Sequence, residues 1–148
     1  MTIFLTGASG LVGSAFARAA ARRGHRVIGT VGTFAGELEG LARRLPLDLT
    51  REPELTSAVL DAFPEAIVNC AAVSVPEQCE VDPARSQLLN VALPSLLARL
   101  AHHVSARCVH VSSEQVFDGA DTRTYAPGDR PSPINLYGRR KLASEQAV

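Results

Sequence analysis

The feature that most constrains this fold is a set of three glycines near the N-terminus. A short apolar run, Ile3 to Leu5, leads directly into Gly7, Gly10 and Gly13, which have the spacing G-x-x-G-x-x-G. Apolar residues then recur at helical spacing, so the pattern predicts a strand, a tight turn and a helix. In that setting the glycines allow a sharp turn, close approach of a pyrophosphate and close helix packing. The stretch predicts a dinucleotide site at a helix N-terminus, although a glycine-rich turn without a ligand would use the same residues.

Composition and charge narrow the classes of function that this chain can have. The chain has 148 residues, and 15 Lys+Arg balance 15 Asp+Glu, so we expect no basic surface for nucleic acid or membrane. Its apolar runs are strand-sized, well short of the ~18 residues of a membrane span, and we expect no signal peptide. The three cysteines leave one unpaired and have no metal-ligand spacing, which favours reduced thiols, a cytoplasmic location and no metal. We expect one domain over residues 1–148.

Alternating apolar segments predict an α/β fold. Strands are predicted at residues 3–5, 26–30, 45–49, 66–69 and 107–112, and helices from 11 to about 22, 52 to 63, 83 to 102 and 134 to 148, with a short helical piece at 38–43 and a loop at 76–81. Gly24 is placed to follow the C-terminus of the first helix, and Ser132-Pro133 to open the last one. This order predicts a Rossmann-type, doubly wound parallel sheet with strand order 3-2-1-4-5.

The carboxyl ends of the strands are the expected ligand edge. The second strand ends at Thr30, where an acidic residue would bind both adenosine ribose hydroxyls. Its absence favours NADP over NAD, although no arginine is adjacent to hold a 2′-phosphate. The fourth strand ends at Asn69 and is followed by Ala71 and Ala72, whose small side chains leave room for a ligand or serve a tight turn. Pro94, within the helix predicted at 83–102, predicts a distortion that frees the main chain of Asn90.

Tyr137 and Lys141 are four residues apart on the last helix, so their side chains lie on one face. Such a pair is common on protein surfaces. It becomes a candidate catalytic pair with Ser113, which follows the fifth strand at the same edge as the glycine turn. A nearby ammonium would lower the pKa of the phenol, and a serine hydroxyl would orient a substrate carbonyl.

In this order the motifs resemble those of the extended short-chain dehydrogenase/reductases over the whole chain. Within that superfamily the chain is most similar to the dTDP-4-dehydrorhamnose reductase (RmlD-type) family. The similar pieces are Cys79-Glu80 with Asp82-Pro83, Ser113-Glu114-x-Val116-Phe117-Asp118-Gly119, and Tyr137-Gly138-x-x-Lys141.

The resemblance implies NAD(P)H-dependent reduction of a 4-keto nucleotide sugar. It makes Tyr137 the proton donor and Lys141 the residue that holds the nicotinamide ribose, while Ser113 and Glu114 contact the substrate. Asp48 would lie beside the adenine, although it would equally serve to cap the next helix. The cofactor contacts implied by the resemblance are Gly7, Ser9, Gly10, Leu11, Val12, Gly13, Thr30, Asp48, Leu49, Ala71, Ala72, Val73, Ser74, Asn90, Tyr137 and Lys141.

The chain departs from that family in three places. Pro76-Glu77 stands where the family usually has Val-Asp, and the acidic residue common before the catalytic tyrosine is replaced around Pro127-Gly128. Family members also continue well beyond this point, with further strands and a small sugar-binding domain. We therefore expect the chain to be the N-terminal part of such a protein.

Two other functions fit the same residues. One is an NAD-dependent nucleotide-sugar epimerase or dehydratase, since Ser, Tyr and Lys serve all three enzymes, although Glu114 is the only acid available beside the serine. The other is a non-catalytic dinucleotide-binding regulatory subunit, like the β-type partner of methionine adenosyltransferase. A homodimer through helices 84–102 and 134–148 is also expected, although burial in the core explains their apolar residues nearly as well.

Overall fold

The computed structural model describes residues 1–120 and 122–148. Its strands are β1 (Thr2–Thr6), β2 (Arg26–Val31), β3 (Arg43–Pro46), β4 (Ala66–Asn69) and β5 (Arg107–His110). Its helices are α1 (Leu11–Arg22), α2 (Glu52–Ala62), α3 (Pro76–Val81), α4 (Pro83–Gln87), a π segment (Leu88–Ala92), α5 (Leu93–His103), a 3-10 turn (Glu114–Val116) and α6 (Leu136–Glu145). All the strands are parallel and lie in the order β3-β2-β1-β4-β5, which confirms the predicted fold class.

Side chains of the strands alternate between two apolar layers. Phe4, Ile28 and Ile67 pack with α2 and α5 on one face of the sheet. Leu5 and Val27 belong to the layer that packs against α1 on the other face. With helices on both faces, the central strands are shielded on both sides, which explains their nearly continuous apolar sequences.

The first helix ends as predicted. Gly24 has φ +78°, its N–H donates to the carbonyl of Ala21 at 2.9 Å, and the N–H of His25 donates to that of Ala20 at 3.1 Å. These two bonds close the last turn in a Schellman arrangement, so the chain reverses directly into β2.

The segment between β2 and α2 differs from its prediction. β3 begins at Arg43 and ends at Pro46 rather than spanning 45–49, and 38–43 forms no helix. Arg43 pairs with Ile28 at the edge of the sheet, where a strand needs no apolar side chain on its exposed side. Pro46 is the last residue of this edge strand, a position that tolerates proline.

The connection from β4 to β5 is more helical than predicted. Residues 76–81 form α3 instead of a loop, with Pro76 in its first turn and Cys79 fully buried. The predicted single helix from 83 to 102 is divided into α4, the π segment and α5. The distortion expected from Pro94 is confirmed. The N–H of Leu93, the residue before Pro94, donates to the carbonyl of Leu88, five residues back, as in a π-helix.

The last strand and the last helix are shorter than predicted. β5 stops at His110 rather than at 112, and α6 spans Leu136–Glu145 rather than 134–148. Asn135, not Ser132, caps α6, because its side chain accepts a hydrogen bond from the N–H of Gly138. Within the described residues, no helix combines the length and apolar character needed to span a bilayer.

Candidate cofactor and catalytic site

The glycine turn is held between two neighbouring strands. Gly7 has φ +71°, and a Cβ on it would lie 2.7 Å from the backbone nitrogen of Ala71, just beyond β4. On the other side the N–H of Ala8 donates to the carbonyl of Thr30 at 3.0 Å, and that of Gly7 to the Thr30 hydroxyl at 3.3 Å. Thr30 is buried, and its hydroxyl is bonded to the turn.

The N-terminus of α1 is open. Gly10 is its cap residue, no side chain caps it, and a Cβ on Gly10 would meet only the Gly7 carbonyl at 3.3 Å. Leu11 is 90% exposed and Val12 52%. Exposed N–H groups at a helix N-terminus without a side-chain cap fit the pyrophosphate of a dinucleotide.

Gly13 has a different structural reason from the one expected. A Cβ there would overlap the carbonyl oxygen of Gly7 and lie 3.1 Å from the Cα of Ala8. The close packing is therefore between α1 and its own preceding turn, not between α1 and the sheet. Ser9 lies in this turn and is half-buried.

The other expected cofactor positions lie at the same carboxyl edge. Asp48 and Leu49 follow β3, where the exposed Asp48 carboxylate accepts from the N–H and hydroxyl of Thr50 at 3.0 and 2.8 Å. These bonds hold the pKa of Asp48 below its ordinary value. α2 begins at Glu52 with Arg51 as its cap residue, so the helix-capping role considered for Asp48 is wrong.

Asn90 acts on the loop after β4. Its side chain is fully buried, accepts from the N–H of Val73 at 2.8 Å and donates to the Val73 carbonyl at 2.9 Å. Both polar groups of the amide are thus bonded to one residue of the loop that contains Ala71, Ala72 and Ser74. Asn90 lies in the π segment, and its side chain holds this loop in place.

Ser113 and Glu114 line a cleft of about 540 Å³ beyond β5, together with residues such as Phe117 and Asp129. The Ser113 hydroxyl donates to the Glu114 carboxylate at 2.9 Å and accepts from the N–H of Gln115 at 3.3 Å. The structure thus brings the two predicted substrate residues together at the start of the 3-10 turn. Tyr137 and Lys141 are not among the lining residues of this cleft.

Tyr137 is positioned by contacts at the start of α6. The N–H of Leu136 donates to the Glu80 carboxylate of α3 at 3.2 Å, and that of Gly138 to the Asn135 side chain at 2.7 Å. A Cβ on Gly138 would overlap the carbonyl of Gln115, so only glycine lets α6 approach the 3-10 turn this closely. Tyr137 is 7% exposed and, within the described residues, its hydroxyl forms no hydrogen bond.

Lys141 is 2% exposed and lies one helical turn after Tyr137. Its Nζ donates to the carbonyl of Val111 at 2.6 Å and lies 3.1 Å from His110 Nε2. Burial lowers the pKa of Lys141 to about 8, while the Glu145 carboxylate, and Cys70 in its thiolate form, act in the opposite direction. A buried amine with a depressed pKa at a strand end is typical of functional sites.

His110 is the centre of a polar network that the sequence did not reveal. Its Nδ1 lies 3.0 Å from the Asn69 side-chain nitrogen, and its Nε2 lies 2.9 Å from the Ser144 hydroxyl. Burial, and then the charge of Lys141, lower the pKa of His110 to about 4. The described residues contain no group of three or more His, Cys, Asp or Glu side chains able to hold a metal.

One compositional feature could have drawn attention to this region. Lys141 is the only lysine in the chain, because fourteen of the fifteen basic residues are arginine. An arginine stays charged in any protein environment, whereas a lysine amine can titrate. A single lysine in an arginine-rich chain is therefore a candidate for chemistry at its amine.

Comparisons with known proteins place these features in a family. The family described as RmlD substrate binding domain matches residues 1–148. The dTDP-4-dehydrorhamnose reductase of Mycolicibacterium smegmatis is 34% identical over 147 residues, which cover 99% of this chain and 41% of that protein. The methionine adenosyltransferase 2 subunit beta of Xenopus laevis is 35% identical over 148 residues, covering 97% of this chain and 41% of that protein.

A solved structure gives the same correspondence in three dimensions. The dTDP-4-dehydrorhamnose reductase of Bacillus anthracis str. Ames in complex with NADP has a TM-score of 0.83 and 26% sequence identity. The match covers 99% of this chain and 48% of that one. The chain therefore spans less than half the length of each of these relatives.

Proposed function

The chain belongs to the RmlD substrate binding domain family, and from that membership we propose that it is the dinucleotide-binding part of a nucleotide-sugar reductase. The reaction is the reduction of a 4-keto nucleotide sugar by NADPH or NADH. Residues 1–148 form the cofactor-binding domain, and the sugar nucleotide requires further residues of the kind present in the longer relatives.

One observation carries this proposal: the glycine turn and the Tyr137–Lys141 helix approach the same edge of the sheet. The turn packs on Ala71, just past the end of β4. The Lys141 amine bonds to Val111, just past the end of β5, and the N–H of Val111 donates to the Asn69 carbonyl at 3.1 Å. A dinucleotide with its pyrophosphate at Gly10 would extend its nicotinamide toward this pair of strand ends.

The proposed chemistry assigns one task to each side chain. Bound NADPH or NADH supplies the hydride that adds to the carbonyl carbon. Tyr137 gives its hydroxyl proton to the carbonyl oxygen, so the ketone becomes an alcohol and the phenolate regains a proton from solvent. The Lys141 ammonium stabilises that phenolate, and the Ser113 hydroxyl turns from Glu114 to hydrogen-bond the substrate oxygen.

NADPH is the preferred cofactor in this proposal. No carboxylate ends β2 to repel a 2′-phosphate. Arg44 of β3 donates hydrogen bonds to the carbonyls of Phe34 and Gly36, and thereby holds the loop after β2 beside the expected ribose position. Competition between NADPH and NADH for this chain, followed by nucleotide fluorescence, tests this preference.

Binding of the cofactor tests the proposal on this chain directly. Gly10→Ala places a methyl group where the pyrophosphate would approach, and we expect it to weaken NADPH binding by more than about tenfold. Gly128→Ala is the matched control, because Gly128 lies outside the glycine turn and the loop after β2, and nothing lies within 4 Å of the added Cβ. Equal affinities of the two variants, with both folded, would contradict a dinucleotide site at this turn.

Turnover tests the catalytic assignment. The protein, including any sequence its gene encodes after Val148, is supplied with NADPH and dTDP-4-dehydrorhamnose while cofactor absorbance is followed. Tyr137→Phe should abolish oxidation of NADPH and leave its binding intact. Retained turnover in that variant would remove Tyr137 from the proposed mechanism.

A second candidate function is a non-catalytic regulatory subunit. It is favoured by the 35% identity to a methionine adenosyltransferase subunit, a similarity as high as that to the reductase. This function predicts NADP(H) binding without turnover of any keto sugar, together with a stable complex with a methionine adenosyltransferase catalytic subunit. Co-purification of such a complex, unchanged by Tyr137→Phe, would favour the regulatory function.

We also propose a homodimer through helices 84–102 and 134–148. The apolar residues of segment 84–102 are mostly buried within one chain, but Leu88 remains 46% exposed. Light scattering of the wild type and of Leu88→Glu tests this interface. A wild-type mass equal to one chain at micromolar concentration would contradict it.

A further inference from the structure

Three polar side chains form a hydrogen-bonded row beside Lys141 and have no role in the proposed reaction. Asn69 ends β4, His110 ends β5, and Ser144 lies one turn after Lys141 on α6. Hydrogen bonds join the three in a row. Their order determines which ring nitrogen of His110 carries a proton.

The Asn69 amide has one orientation that satisfies its neighbours. Its Oδ1 accepts from the backbone N–H of Ala71 at 3.1 Å and from the Thr6 hydroxyl at 2.5 Å. A backbone N–H can only donate, so the oxygen must face Ala71 and the NH2 group must face His110. At 3.0 Å this NH2 group donates to Nδ1 of His110. Nδ1 therefore carries no proton.

A neutral imidazole without a proton on Nδ1 carries it on Nε2. Ser144 agrees with this tautomer, because its hydroxyl donates to the Lys141 carbonyl at 2.6 Å and so accepts from Nε2 at 2.9 Å. Burial holds the pKa of His110 near 4, so the ring is neutral at pH 7.

The Lys141 amine lies 3.1 Å from the same Nε2 atom. A protonated Nε2 cannot accept a hydrogen bond from an ammonium, and its N–H dipole is oriented unfavourably toward a positive charge. Val111 supplies the carbonyl that accepts from Lys141, at 2.6 Å. The ammonium is thus bonded once, to the residue just after β5, and is opposed by the His110 ring beside that bond.

The other titratable groups around Lys141 are Glu145 on α6 and Cys70 after β4. The Glu145 carboxylate accepts a hydrogen bond from the Ser112 hydroxyl, so it is turned toward the start of the cleft. Burial raises the pKa of Cys70, so its thiol is neutral at pH 7. Neither group supplies the missing hydrogen-bond acceptor.

We propose that His110 is a positioning residue for Lys141: held as the Nε2–H tautomer by Asn69, it denies the ammonium a second acceptor on β5. The remaining ammonium protons are then free for the cofactor ribose and Tyr137, a consequence that rests on the proposed function. A carboxylate or an unprotonated ring nitrogen at this place would instead bind the ammonium to the strand.

The tautomer can be measured on the 148-residue chain. Nitrogen-15 NMR of histidine-labelled protein separates protonated from unprotonated ring nitrogens for each of the four histidines. We expect His110 to show a protonated Nε2 and an unprotonated Nδ1 from about pH 6 to pH 9. A protonated Nδ1, or rapid exchange between the tautomers, would overturn the proposal.

The effect on Lys141 is measured with a second label. Because the chain has one lysine, ¹³Cε,¹⁵Nζ-lysine gives a single signal whose pH titration belongs to Lys141. His110→Gln places an amide at the Nε2 position, with its NH2 toward Ser144 and its oxygen toward Lys141. We expect this acceptor to increase the proton affinity of Lys141 about tenfold.

His103→Gln is the matched control, since His103 is exposed at the end of α5. It should leave the Lys141 titration unchanged. An unchanged titration in a folded His110→Gln variant would overturn the proposal. If that variant does not fold, the tautomer of His110 measured in the wild type still tests the proposal.

Addition of NADPH separates this proposal from the proposed function. In the wild type the Lys141 signal should shift on binding, and His110→Gln should weaken NADPH binding about tenfold. If no NADP(H) binds while His110 is the Nε2–H tautomer, the proposed function fails and the positioning of Lys141 stands. If NADPH binds equally to wild type and a folded His110→Gln, the positioning proposal fails and the proposed function stands.

Discussion

The two ends of the candidate site are built in different ways. The glycine turn at residues 7–13 is held by backbone hydrogen bonds and close backbone contacts, and it presents an exposed helix N-terminus. The lysine end is buried, and polar side chains from β4, β5 and α6 determine its state. A phosphate site thus needs only backbone shape, whereas a titratable amine needs neighbours that control its proton and its hydrogen bonds.

The largest expected effect tests the backbone shape at the glycine end. Gly7→Ala should lower the free energy of unfolding by about 3 kcal/mol, because its φ of +71° is strained and its Cβ would collide with Ala71. Gly24→Ala has a similar φ of +78° but open space, and should cost only about 1 kcal/mol. Urea denaturation measures both. Equal costs would mean that crowding against β4 does not constrain the turn.

The buried Lys141 amine should make the free energy of unfolding depend on pH. The folded pKa of Lys141, about 8, lies below the ordinary 10.5, so the unfolded chain binds more protons between these values. The free energy of unfolding should therefore rise by about 3 kcal/mol as pH increases from 8 to 10.5. Lys141→Met should remove this rise.

Arg139→Met is the control for that measurement, because it removes an exposed basic residue from the same helix. Its stability should increase with pH as the wild type's does. A wild type whose stability is flat between pH 8 and 10.5 would contradict the burial of a lowered-pKa amine.

The acid side tests His110 separately. Its folded pKa, about 4, lies below the ordinary 6.5, so lowering the pH through this interval favours the unfolded chain. We expect a loss of about 2 kcal/mol of unfolding free energy, allowing for partial solvent screening of the half-buried ring. His110→Gln should lack this loss, while His103→Gln should retain it. If the free energy of unfolding of all three proteins fell equally between pH 6.5 and pH 4, groups other than His110 would be responsible for the loss.

The smallest effect concerns the helix that carries Tyr137. Asn135→Ala should lower the free energy of unfolding by about 1 kcal/mol, because it removes the bond that caps α6. Ser132→Ala, at the cap position expected from sequence, should cost less than about 0.5 kcal/mol because Ser132 is exposed. Thermal unfolding distinguishes them. A larger loss for Ser132→Ala than for Asn135→Ala would indicate that the helix begins at Ser132, as the sequence predicted.

Sequence reasoning succeeded where the determinants are close together along the chain. The strand order, the glycine turn and the end of α1 at Gly24 follow from apolar periodicity and glycine placement. The distortion near Pro94 follows from a missing N–H group. Each of these is a backbone property that neighbouring residues decide.

It failed where contacts between distant segments decide. α3 was expected to be a loop, yet it forms a short helix with Cys79 buried and Glu80 bonded to Leu136. The bond from the Gly7 N–H to the Thr30 hydroxyl, which links neighbouring strands, was not expected either. Nor was the bonding of the Asn90 side chain to Val73 expected, because the two residues are 17 positions apart in the sequence.

The sequence by itself determined that this chain forms a parallel sheet with a glycine turn after its first strand, because local spacing encodes those features. It also placed Tyr137 and Lys141 on one helical face. Only the tertiary structure decided that the lone lysine is buried beside His110, and that Asn69 sets which nitrogen of that ring bears the proton. Residues 69, 110, 141 and 144 come into contact only when β4, β5 and α6 pack together. The low dielectric constant of that interior strengthens each of their hydrogen bonds.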